Sequence, residues 1–266
     1  MSNELVNQNA QLPAHLMESV NKENTGLEDV NQYISPPRLK IVQDKRSDEK
    51  YKQFSGGDIV VIPQLEKICD KDGFFIFTPL FIYDEFCIHN PYALRARLPM
   101  IRDRTLDPKS EIAEKARRMV TEDCPEDSEH QIKYVTHLNF LVAIHDVSSL
   151  KGIEVALSFS LGEFKTATAL MGSLRMRCNN GTPIYAHKFQ ATPGEHKSGS
   201  NEWWGLDITN PTADYEGSPW VEDAEMFEHF KSLHENYKAN RDLIKTDYTD
   251  DSQTEPSNEV TNSDTL

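Results

Sequence analysis

Apolar positions recur along this chain with two different periods, and the switches between them divide the sequence into elements. Pro36 and Pro37 favour an extended entry, after which Leu39, Lys40, Ile41 and Val42 read as a short strand or arm. Residues 44–53 are a charged loop, and 55–63 read as a turn and a buried strand. The run 74–89 is rich in aromatic and β-branched side chains and apolar on both faces; Pro79 at its centre predicts a bulge or an edge. Residues 131–145 and 152–161 predict a hairpin across a polar connection. At Gly162 the period becomes helical: Phe164, Ala167, Leu170, Met171, Leu174 and Cys178 share a stripe, and Asn179-Asn180-Gly181 ends it. Strands resume over 183–192 and 202–209, separated by a turn-rich stretch, 193–201. Two further helices are predicted. One spans 107–121, with Asp107 as N-cap and Pro108 in the first turn, ahead of an acidic loop at 122–129. The other runs from Trp220 to Arg241, with Val221, Ala224, Phe227, Phe230, Leu233 and Tyr237 as its apolar stripe.

This order, three strands, a helix and two strands with additions at both ends, predicts an α+β chain. The expected architecture is an OB-fold-like, mainly antiparallel β-barrel with an inserted helix, extra helices and disordered tails. Composition sets the boundaries. Apolar residues make up only 38% of the 266 residues, and the deficit sits at the ends. Residues 1–25 are expected to be a disordered N-terminal arm, 26–241 the nucleic-acid-binding domain with its C-terminal helix, and 242–266 an acidic disordered tail. That last stretch carries seven acids against one lysine, too polar to offset the entropy of ordering.

The formal net charge of −15 argues against a protein coated in basic residues for duplex DNA, but local field matters more than the sum. Cations gather between residues 83 and 118: Arg95, Arg97, Arg102, Arg104, Lys109, Lys115, Arg117 and Arg118. A single-strand binder needs ring faces for bases and cations along the backbone track. Phe81, Tyr83, Phe86, Tyr92, Tyr185, Phe189, Trp203 and Trp204 are the candidate rings. Adjacent strand residues point to opposite faces, so only one of Trp203 and Trp204 is expected to pack inward. Tyr83, Tyr92 and one of the two tryptophans are the expected stacking residues, with Phe81 beside them. Arg95, Arg97 and Lys188 are the expected phosphate contacts. Arg175 and Arg177 also complement a helix C-terminus without any ligand.

Cys69, Cys87, Cys124 and Cys178 are widely spaced, which predicts reduced thiols. Cys124 with His130, His137 and His145 offers soft ligands but no close pair at zinc spacing, so no metal and no cofactor are expected. No nucleophile-elbow, P-loop or dinucleotide fingerprint occurs, and no enzymatic activity is expected. The absence of an apolar leader or a long apolar run predicts a protein of the cytoplasm with no membrane partner.

Three stretches carry a resemblance: "PPRLKIVQ" with "SGGDIVVIP"; "FIFTPLFIYDEF"; and "SFSLGEFKTATALMGSLRMRCNNGTPIYAHKFQAT" running into "EWWGLDI". Together they cover about two thirds of the chain, and they resemble bacteriophage single-stranded DNA-binding proteins. The resemblance implies an OB-type fold, cooperative coating and protection of single-stranded DNA in replication and recombination, and a site of action in the host bacterial cytoplasm. Acidic tails in that class often end in an aromatic or Pro-Phe tip that docks on phage replication proteins; here Leu266 is the only apolar tip. The alternative expectation is a phage transcription regulator or adaptor that contacts host RNA polymerase through its tails and final helix.

Overall fold

The computed structural model describes residues 36–44, 51–90, 101–125, 127–145, 154–199, 201–211 and 218–241. All of them belong to the unit Ser35–Leu266. The expected arm and acidic tail lie outside the described residues.

One sheet of ten strands organises this unit. They are β1 (Arg38–Ile41), β2 (Ile59–Ile62), β3 (Glu66–Cys69), β4 (Phe75–His89), β5 (Ile101–Thr105), β6 (Thr121–Cys124), β7 (Asp127–Ile144), β8 (Glu154–Phe159), β9 (Phe189–Ser198) and β10 (Asn201–Thr209). The order is β10-β9-β4-β7-β8-β1-β2-β3, with β5 also on β4 and β6 on β7. Every pairing is antiparallel except β1 with β8. The architecture is α+β, as expected, but the ladder does not close into a barrel.

A side chain joins the two sides instead. The amide of Gln43, just past β1, donates to the Trp204 carbonyl at 2.9 Å and accepts from the Trp204 N–H at 2.8 Å. It imitates a strand partner where no backbone ladder forms. Trp204 adds to this clasp. Its ring lies over the turn before β2, so close that a Cβ at Gly56 or Gly57 would meet it at 2.9 Å. Gly57 also has φ +87°, a conformation suited to glycine.

The main core lies on the face covered by α2 (Phe164–Arg177), where Leu170 and Leu174 meet Phe75, Phe77, Phe140, Phe159, Phe189 and Leu206. Burying each such side chain stabilises the fold by about 1.5–3 kcal/mol. The helix ends as expected, through a 3-10 turn to Gly181 at φ +86°. The first helix, α1 (Glu111–Arg117), is shorter than predicted and starts elsewhere. Ser110, not Asp107, is its N-cap, accepting from the Ala113 N–H, while Asp107 accepts from Lys109 in the preceding turn. The last helix, α3 (Ala224–Ala239), is capped by Asp223 and lays Phe227, Phe230 and Leu233 against Leu80, Ala143 and Tyr185.

Several strand expectations need correction. The supposed turn-rich stretch 193–201 is mostly β9 and its hairpin turn into β10. Of the supposed acidic loop 122–129, residues 122–124 belong to β6 and 127–129 to the start of β7. A 3-10 turn, Ile184–Ala186, occupies the front of the predicted strand 183–192. β3 and β5 were not expected, because "EKIC" and "IRDRT" carry too many charges to show a period. Pro79 does mark a bulge: the register of β4 on β7 slips between Pro79 and Phe81.

Candidate nucleic-acid interface

Tyr92, Arg95 and Arg97 lie outside the described residues. Phe81 and Tyr83 are not on an open face: they are 8% and 2% exposed. Their rings stack at 6.3 Å, and Phe81 stacks in turn on Tyr237 of α3 at 6.1 Å. The final helix supplies the partner that this apolar strand needed, so both rings serve the core. Tyr185 and Phe189 are likewise buried, the second beneath the Arg177 guanidinium at 4.3 Å. Lys188 is half-buried and its N–H donates to the Pro219 carbonyl.

Both tryptophans are half-buried, so neither packs fully inward. The Trp204 indole N–H donates to Asp44 at 2.9 Å. Trp203 packs edge-on to His196 at 5.9 Å and lies against Gly162, where a Cβ would meet the ring at 2.9 Å. Trp203 therefore buttresses the 3-10 turn Leu161–Glu163 that leads into α2.

That turn is one lip of a groove of about 760 Å³ between α1 and α2. Because β4 and β7 are long, both helices sit on the same ribbon and leave a gap over its middle. Asp84 and Phe86 of β4 and residues 133–136 of β7 line the gap. Met119, Leu161 and Phe164 stand at its lips, 83%, 54% and 37% exposed. Met119 and Leu161 have φ of 51° and 48°, a left-handed backbone that is uncommon for such residues and gathers at functional sites. Both bear apolar side chains that solvent does not reward.

Arg117, Lys133 and Lys165 line the same groove. Arg117 lies over the Phe86 ring at 4.9 Å, and neither lysine is paired with a described carboxylate. Asp84 is the one acid among the described residues of the lining; burial, the largest influence, raises its pKa despite Arg241 and Arg117. α1 is held to the ribbon by Lys115, which pairs with Glu111 and Glu122 at 2.7 and 2.8 Å, while the Tyr134 hydroxyl donates to Glu122 at 2.8 Å.

The opposite face of the ribbon is polar and closed. The Glu85 carboxylate, fully buried, meets Arg38 and Arg104, each at 3.4 Å. His137, directly across from Glu85, is only 8% exposed; its Nδ1 contacts the Ser158 hydroxyl at 3.3 Å and its Nε2 has no partner among the described residues. Burial first, then Arg38, His89 and Arg104, lower its pKa to about 3. Burial likewise pushes the Cys87 thiol up to about 12, with Glu85 adding to the shift.

Sequence reasoning missed the groove because its residues come from four separated segments. The one local signal was Leu161-Gly162 at the change of period. No protein-family model, curated protein or solved structure matches this chain.

Proposed function

We propose that this protein binds single-stranded DNA, coating and protecting it during bacteriophage replication and recombination in the host cytoplasm, and that the α1–α2 groove is where the strand lies. The observation that carries the reading is one trough holding an exposed aromatic face at Phe164, apolar lips at Met119 and Leu161, and three cations, Arg117, Lys133 and Lys165. Base–aromatic stacking is worth about 1–3 kcal/mol per base, and cations beside it hold the phosphates. Three cations on a chain of net charge −15 suit the flexible backbone of one strand better than the dense phosphates of a duplex.

The test is a titration of a 30-mer of oligo(dT) in low salt, followed by fluorescence anisotropy. Binding that weakens as salt rises supports the reading. No binding to the intact chain overturns it. The apolar stripe of α3, a candidate surface for an RNA polymerase contact, is packed on this protein's own sheet.

A further inference from the structure

We propose that the closed face of the β4–β7 ribbon is a zinc site, with Glu85, Cys87 and His137 as the protein ligands. Strand geometry brings the three together. Glu85 and Cys87 are two residues apart on β4 and so share a face, and His137 is the cross-strand neighbour of Glu85. One ligand atom from each lies within 4.8 Å of the others, and all three residues are buried. Tetrahedral zinc bonds of about 2.0–2.3 Å set neighbouring ligand atoms roughly 3.3–3.8 Å apart, so side-chain rotations of modest size complete the site.

The second observation is the imidazole. A ligating histidine fixes its ring by a hydrogen bond from the nitrogen that does not bind metal. Here Nδ1 contacts the Ser158 hydroxyl, and Nε2 is buried without a partner among the described residues. A buried nitrogen of that kind is costly unless something occupies it. Asn139, two residues along β7 on the same face, is fully buried with neither amide atom partnered among the described residues, and offers hydrogen bonds to a water in the fourth position.

Arg38 and Arg104 decide which metal fits. Their contacts to Glu85, at 3.4 Å, are longer than the 2.7–2.9 Å or so of a charge-assisted pair, so each carboxylate oxygen keeps a lone pair for a metal. Two guanidiniums and a single carboxylate make a poor site for calcium or magnesium, which need several oxygens. A thiolate and an imidazole favour zinc. Binding exchanges the Cys87 thiol proton, released to solvent, for a zinc–sulfur bond.

The experiment uses the full chain, stripped with EDTA, dialysed and titrated with Co²⁺ alone. A thiolate-to-cobalt absorption that saturates at one equivalent, is bleached by Zn²⁺ and is unaffected by Mg²⁺ is expected. Cys87→Ser should lose the band. A variant with serine at Cys69, Cys124 and Cys178 leaves the site intact and should keep it, and Zn²⁺ should raise the Tm of the wild-type chain. Absence of the band in the wild-type protein, or its persistence in Cys87→Ser, overturns the proposal. Either result is independent of whether the chain binds DNA.

Discussion

The two faces of the β4–β7 ribbon hold charges of the same kinds and treat them in opposite ways. On the closed face, Arg38 and Arg104 converge on the buried Glu85. On the groove side, Arg117 and Lys165 line an open trough, and no described carboxylate is paired to Lys165. Arginine or lysine on a β-strand thus has no meaning of its own. A cation that a buried carboxylate neutralises belongs to the fold; one that stands unpaired beside exposed apolar side chains is available to a ligand.

The largest effect should come from the closed face. Glu85→Ala takes away the buried carboxylate that Arg38 and Arg104 share, and removing one partner of a buried ion pair costs about 3–5 kcal/mol of stability, measured by urea denaturation. A loss below about 1 kcal/mol would mean that the arginines reach solvent easily and that the contrast between the faces is false. Phe164→Ala should act on the other property. It should weaken oligo(dT) binding by about 1–3 kcal/mol and leave the urea midpoint nearly unchanged, because the ring is partly exposed. An unfolding effect with unaltered affinity would move Phe164 from the ligand's side to the core's.

Lys133→Ala with Lys165→Ala should lower the slope of log affinity against log salt by about 0.7 for each phosphate contact removed. An unchanged slope would show that the strand does not pass between them. The smallest effect concerns Glu154 of β8, on neither functional face. Burial, more than its hydrogen bond or His229, raises its pKa. The folded state therefore keeps this proton to higher pH than the unfolded state does. Its contribution is full below the ordinary carboxylate pKa and is lost as pH rises through the raised value. Glu154→Gln should match wild type near pH 4 and be the more stable of the two at pH 8, by urea denaturation at both. A less stable variant at pH 8 would mean that His229 outweighs burial.

Much of the ribbon was legible in advance. The β-branched, aromatic character of 74–89 and the period of 131–145 give β4 and β7, and Pro79 marks the bulge between them. The period change at Gly162 gives α2. The charged strands β3, β5 and β6 were hidden because their pairing partners, rather than their own side chains, make them strands. The candidate rings were misread for a related reason. Phe81 and Tyr83 look available on a strand that is apolar on both sides, until α3 covers one of those sides. Which neighbours would cover the two tryptophans was hidden for the same reason: Gly57 and Gly162 leave room for the indoles, and only folding brings those glycines to them.

Local chemistry written into the chain determined where elements begin and end: Asp223 caps α3, Gly181 stops α2, and proline bends β4. Those choices depend on neighbours a few residues away, and a linear pattern contains them. Tertiary structure alone decided which charges and rings are spent. The groove draws on α1, β4, β7 and α2, and the polar cluster on β1, β4, β5, β7 and β8, with Arg38 and Glu85 separated by 47 residues. Whether a guanidinium meets a carboxylate or water depends on the packing of segments distant in sequence, and burial rather than residue type sets the strength of that meeting.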